Sequence, residues 1–190
     1  MTAKELVENY RSNPDRPYNE LIGLFAYKPQ LSAGQKLIDI NLEFRTEIVE
    51  LLLSDFGKID IHLIRNLFDE EIKCELATQR HDNLYQLCFY LFTIGDLQDS
   101  FIIYDAKFNS KNMDVGCSLD REMITVGHDI EEVIKYVKNE FKKDSRLELK
   151  YYGILDILMG LKDIPDYDSI QAYTKFIKGY FYGHDKFEND

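Results

Sequence analysis

Residues 95–108 read GDLQDSFIIYDAKF, and the fold class turns on them. Leu97, Phe101, Tyr104 and Phe108 recur at helical spacing, which predicts a helix from Leu97 to about Lys107. The β-branched pair Ile102 and Ile103, set beside aromatic residues, has the character of a strand instead. The helix is favoured. Gly95-Asp96 reads as the turn and cap of a helical hairpin, and no partner strand is evident in the flanking sequence.

Upstream, Thr2 followed by Glu5 is a capping box, and a short helix carrying Leu6, Val7 and Tyr10 follows. Pro14 and Pro17 break the chain, with Pro17 suited to the first turn of the next helix. That helix carries Tyr18, Leu21, Ile22 and Phe25, and Pro29 is expected to close it. Ser32 with Gln35 reads as a second capping box. It would open a helix whose stripe is Leu37, Ile40, Phe44, Ile48, Leu51 and Leu52, with Arg45 among the polar residues of its other faces. After Gly57 the period resumes through Ile61, Ile64, Phe68, Ile72 and Leu76, as one helix or with a break near Asp69. Asp82 should cap the next helix, with Leu84, Leu87, Cys88, Leu91 and Phe92 facing a core. Gly95 should follow it as a left-handed C′ residue.

Downstream, Asn109 to Gly116 reads as a loop, and a short helix is expected near Leu119 to Ile124. Asp129 and Glu132 start a helix carrying Ile130, Val133, Ile134, Val137 and Phe141. Ser145 is expected to cap a single helix with Leu147, Tyr151, Ile154, Leu155, Leu158 and Leu161 on its stripe, and Pro165 to mark the turn after it. Ile170, Tyr173, Ile177, Tyr180 and Phe181 define a last helix ending at Gly183, before a frayed tail. Helices joined by short connections pack antiparallel. The expectation is one all-α domain over 1–190, its antiparallel helix pairs stacked as an irregular HEAT/armadillo-like right-handed solenoid. An irregular helical bundle is the alternative, because no repeat unit recurs in the sequence.

The bulk chemistry narrows the classes. Apolar residues form 45% of the 190 and charged residues 30%, the balance of a globular chain. Tryptophan is absent, so thirteen tyrosines and twelve phenylalanines must supply the bulky packing. The net charge of −11 repels nucleic acid unless a basic patch overrides it. The densest basic stretch, Lys138 to Lys150, is interrupted by Glu140, Asp144 and Glu148, and reads as a wet helix face. Neither a nucleic-acid partner nor a membrane partner is expected. The longest apolar run, Leu87 to Phe92, is too short to span a bilayer. A polar N-terminus without a signal-peptide region, and three scattered cysteines (Cys74, Cys88, Cys117), point to the cytoplasm as the default.

No motif identifies a reaction. Phosphate-binding glycine loops, a nucleophile elbow and clustered His or Cys pairs are missing from the pattern, so no cofactor and no metal are expected. The polar middle segment is the place to look. Asp105, Asp114 and Asp120 have the chemistry of hard-cation ligands but not the spacing of a calcium loop, so capping and turn roles are the better reading. Lys107 is expected to pair with an aspartate of the following loop. Cys117, with His128 as base, has the residue types of a nucleophilic pair; a buried, inert thiol is the commoner role. Tyr152 and Tyr182 fall off the apolar stripes and are candidates for an exposed, partner-binding patch, with a core-edge role the commoner alternative for such tyrosines.

The succession GDLQDSFIIYDAKFN, MDVGCSLD and VGHDIEEVIKYV resembles a segment of small bacterial helical proteins of HEAT and armadillo-like type, over residues 95–137. The resemblance implies such a fold and no established reaction. Small acidic proteins of that appearance include immunity proteins, which neutralise toxins by binding them. The first functional expectation is therefore a non-enzymatic protein-binding domain, immunity- or antitoxin-like, with a basic protein as a fitting partner. The alternative is a small enzyme or ligand-binding domain using the loop 105–120. Nothing in the pattern specifies an oligomeric state.

Overall fold

The computed structural model describes residues 1–12, 19–110, 112–164 and 169–183. The expected breaks at Pro14 and Pro17, Tyr18 of the second stripe, Pro165 and the tail beyond Gly183 lie outside the described residues. The described residues are all-α: eleven α-helices, two short 3-10 turns and one two-stranded hairpin.

Helix α1 (Ala3–Ser12) starts where the capping box places it. The Thr2 N–H donates to Glu5 Oε2 at 2.8 Å, and the Glu5 N–H to Thr2 Oγ1 at 3.2 Å. Helix α2 (Asn19–Phe25) stops four residues short of Pro29. The predicted helix start at Ser32 is wrong. Strands β1 (Pro29–Leu31) and β2 (Leu37–Asp39) pair antiparallel there, Pro29 opposite Asp39. Proline suits the first position of a strand. The Ser32 hydroxyl accepts from the Lys36 N–H, and the Gln35 N–H donates to the Ser32 carbonyl with φ +60° at Gln35. Serine's local hydrogen bonds thus hold a turn rather than a helix cap. Helix α3 begins only at Leu42 (Leu42–Leu52), so Leu37 and Ile40 stand outside it, and its buried face is Arg45, Ile48, Val49 and Leu52.

Helix α4 (Ile61–Ala77) runs unbroken past Asp69, and α5 (Asn83–Ile94) follows. Asp82 occupies the N-cap position of α5 without a side-chain cap. Gly95 ends α5, but with φ −65° and ψ 169° rather than in the left-handed region. Its need for glycine is steric: a Cβ there would lie 2.2 Å from the Leu91 carbonyl oxygen. The helix reading of the deciding stretch holds as α6 (Asp99–Phe108). Helix packing outweighs the strand propensity of Ile102 and Ile103, because Ile103 and its neighbour Tyr104 bury against the core.

The next segment departs from expectation. Helix α7 (Met113–Ser118) occupies the anticipated loop, with Asn112 capping the Asp114 N–H at 3.0 Å. A 3-10 turn (Arg121–Thr125) stands where a helix from Leu119 was expected. Helix α8 (Ile130–Lys143) opens on Asp129, which accepts from the N–H groups of Glu131 and Glu132. The single helix expected from Ser145 is two, α9 (Ser145–Lys150) and α10 (Ile154–Lys162), and Asp144 rather than Ser145 is the cap. The break falls at Gly153, where a Cβ would meet the Tyr104 hydroxyl at 2.7 Å. Helix α11 (Ile170–Tyr182) ends at Gly183, φ +85°.

Helix α1 packs on α3, α4 on α5, α6 on α7 and the 121–125 turn, and α8 on α10. Helix α11 then comes back to α5. Phe181 stacks on Phe89 at 4.4 Å between ring centres, and Tyr173 stands edge-on to Phe92 at 5.5 Å. In a linear stack each unit touches only its neighbours. The aromatic contacts of α11 with α5 join two helices separated by five others in the chain. No described helix is long and apolar enough to cross a membrane.

Candidate functional site

Of the sequence-predicted residues of the middle segment, Lys107, Asp105 and Asp120 hold the fold together, each by a different neighbour. Lys107 does not meet an aspartate. Its Nζ donates to the carbonyls of Gly116 at 3.1 Å and Leu119 at 2.5 Å, closing the C-terminal end of α7 where carbonyls lack helical partners. Asp105 pairs with Lys150 at 3.0 Å and accepts from Asn109. Asp120 Oδ2 accepts from two phenols, Tyr85 at 2.7 Å and Tyr173 at 2.8 Å. Burial, reinforced by that carboxylate, raises the pKa of both tyrosines. Asp114 and Cys117 are exposed, so Cys117 is not the buried thiol expected. His128 faces the Gly95 carbonyl and Glu132. Tyr152 is 79% exposed, whereas Tyr182 is half-buried and edge-on to Phe89.

A second polar centre lies where the sequence reading placed none, between the hairpin, α3 and α4. Asp39 ends β2 and accepts from the N–H groups of Lys28 at 2.9 Å and Asn41 at 3.1 Å. Arg45, fully buried on α3, contacts Asp39 at 2.6 Å, donates to Glu71 at 2.7 Å and reaches the Phe25 carbonyl at 3.1 Å. Burial alone would lower the Arg45 pKa. The charges of Glu71 and Asp39 outweigh it and keep the guanidinium cationic. Burial likewise works against ionised Asp39, but the two backbone N–H groups and Arg45 hold its pKa below the usual value.

One turn along α4 the compensation stops. Among the described residues, the buried acids Asp39, Asp60, Glu70, Glu71 and Asp99 each have a Lys or Arg partner. Glu75 is also fully buried, and neither of its carboxylate oxygens has a hydrogen-bond partner. Burial, aided by the charge of Glu71, pushes its pKa up to about 8. The backbone N–H groups of His81 and Leu84 pull the other way without making hydrogen bonds of good geometry. Glu71 Oε1 and His81 Nε2 are buried without partners as well. Each such orphaned group costs about 1–3 kcal/mol.

Donor atoms of Glu71, Cys74 and His81 all lie within 4.8 Å of one another. Carboxylate, thiol and imidazole are the donor types zinc-class ions take. Burial pushes the Cys74 thiol up to about 11, against the Thr78 hydroxyl 3.6 Å from its sulfur. His81 follows the end of α4 and lines two shallow clefts. One is shared with Asp39, Leu42 and Thr78, the other with Thr46, Arg80 and Asn83. A trace of this cluster is visible in the sequence, since Glu71, Cys74 and Glu75 share one helix face at i, i+3 and i+4. That this face points inward is not.

No family model matches the chain, and no curated protein or solved structure matches it significantly.

Proposed function

We propose that this chain is a non-enzymatic, protein-binding helical domain. An immunity- or antitoxin-like role against a basic protein is its sharpest form. The observation that carries this reading is an exposed apolar seam where the end of α6 meets the α9–α10 turn. Leu149 is 80% exposed and Tyr152 79%; Phe108, next in the chain to Asn109, is 40% exposed. The two chain segments are pinned side by side, since Asn109 Nδ2 donates to the Lys150 carbonyl at 3.3 Å and Lys150 pairs with Asp105. Large exposed tyrosine and leucine side chains on a braced backbone suit a contact surface, because little conformational freedom is lost on binding. The charge of −11 favours encounter with a basic partner.

The test is affinity capture with the tagged full chain from its native host, run beside Tyr152→Ala and Leu149→Ala. Stoichiometric recovery of one basic protein by the parent, weakened roughly tenfold or more by either substitution as for a hot-spot residue, is the expected result. Equal capture by all three chains removes the seam from the interface. Recovery of no partner, together with a turnover lost on substituting Asp114 or Cys117, overturns the binding role.

A further inference from the structure

We propose that Glu71, Cys74 and His81 form a binding site for one divalent transition-metal ion of the zinc class, with the buried Glu75 carboxyl beside it. Three observations independent of the protein-binding reading converge on it. The three donor atoms already lie within 4.8 Å of one another. In a tetrahedral site with bonds of about 2.0–2.3 Å, donors stand about 3.3–3.8 Å apart. A closure of about one ångström therefore completes the geometry, and His81, in the connection between α4 and α5, is the donor least constrained by helix.

The unsatisfied atoms are the second observation. Glu71 uses Oε2 for Arg45 Nε, while Oε1 is buried with no partner. One oxygen held by an arginine and the other turned to a cation is the arrangement that orients a carboxylate ligand. Both oxygens of fully buried Glu75 and Nε2 of His81 are unpartnered in the same place. Buried polar atoms of this number in one spot call for a ligand that satisfies them.

Charge is the third. Arg45 is matched by Asp39 at 2.6 Å. A dication is then neutralised by the Glu71 carboxylate and the Cys74 thiolate. Binding forms a metal–sulfur bond as the Cys74 thiol gives its proton to solvent, and no electron is transferred. A thiolate and an imidazole select zinc, cobalt or copper over magnesium and calcium, which prefer oxygen alone. The clefts beside His81 provide entry.

The test uses the full chain, stripped with a chelator and titrated with Co2+, then with Zn2+. One equivalent of Co2+ should give a thiolate-to-cobalt charge-transfer band and the d–d bands of a four-coordinate ion, and Zn2+ should displace both. Cys117→Ser should leave the spectrum unchanged, and Cys74→Ser should lose the charge-transfer band. Should Cys74→Ser fail to fold, His81→Gln decides, because it lies outside the helix. It should weaken Co2+ binding by roughly a hundredfold, since losing a group merely behind a ligand already costs about ten- to a hundredfold. Absence of the charge-transfer band in the parent chain, its survival in Cys74→Ser, or unchanged affinity in His81→Gln overturns the proposal.

Discussion

Replacing Asp120 with alanine tests the contact that closes this fold. Its Oδ2 accepts from Tyr85 of α5 at 2.7 Å and from Tyr173 of α11 at 2.8 Å, so one carboxylate ties the 121–125 turn to both helices. Hydrogen bonds to a charged group contribute about 1.5–3 kcal/mol each, so the pair amounts to about 3–6 kcal/mol. Asp120 is half-buried, and that partial exposure to solvent places the net loss near the lower end, about 3 kcal/mol. For a chain of this size that corresponds to a fall in Tm of about 6–12 °C. Urea unfolding followed by circular dichroism measures the loss directly. Tyr85→Phe and Tyr173→Phe, alone and combined with Asp120→Ala, give the two coupling energies. Asp120→Asn should lose roughly half as much, since neutral hydrogen bonds are about half as strong as charge-assisted ones. A loss under about 1 kcal/mol for Asp120→Ala, or a coupling near zero for Tyr173, refutes the reasoning. The aromatic stacking of Phe89 on Phe181 would then hold α11 unaided.

Other substitutions read other parts of the structure. Gly127→Ala should destabilise by about 2 kcal/mol or more, because φ is +66° and a Cβ would lie 2.4 Å from the Phe92 carbonyl oxygen. Gly160→Ala, within α10 and with nothing near its Cβ, should stabilise by up to about 1 kcal/mol; thermal melts of the two variants check both signs. Lys107→Met should speed amide exchange across residues 113–119 and leave α1 to α4 unaffected, by hydrogen-exchange mass spectrometry. Asp96 is held below the usual carboxylate value by Lys58 first and then Arg65. Its contribution is present in full above the unfolded value near 3.8 and is lost as pH falls through the lower folded value. Being half exposed, it contributes under about 1 kcal/mol, and Asp96→Asn should reduce the loss of unfolding free energy below about pH 4 by that amount, as read from urea unfolding.

The helical class is legible in the sequence because helices declare themselves locally. Thr2 with Glu5, Asp129 before its apolar stripe and Gly183 after the last one are short-range signals, and each is found at work. The errors share one cause. Ser32 with Gln35 has the residues of a cap, but serine's hydroxyl binds a turn as readily, and the choice fell to a hairpin docked on α4 through Asp39, Arg45 and Glu71. The helix expected from Ser145 breaks before Gly153, where Tyr104 of α6 packs so close that only a residue without a Cβ fits.

The candidate site divides the same way. Polarity singled out Asp105, Lys107 and Asp120; Asp105 and Asp120 brace segments distant in the chain, and Lys107 closes the neighbouring helix. Arg45, Glu71 and Glu75 look like residues of wet helix faces, yet all three are fully buried. Periodicity reports which residues share a face. It does not report which face turns inward once a charged side chain finds its partner on another element. The sequence by itself thus determined helices, caps and an acidic surface, all set by neighbours within a few residues. Tertiary structure alone decided the return of α11 to α5 and the meeting of Glu71, Cys74 and His81. Those contacts depend on how the helices pack, and no local rule encodes that.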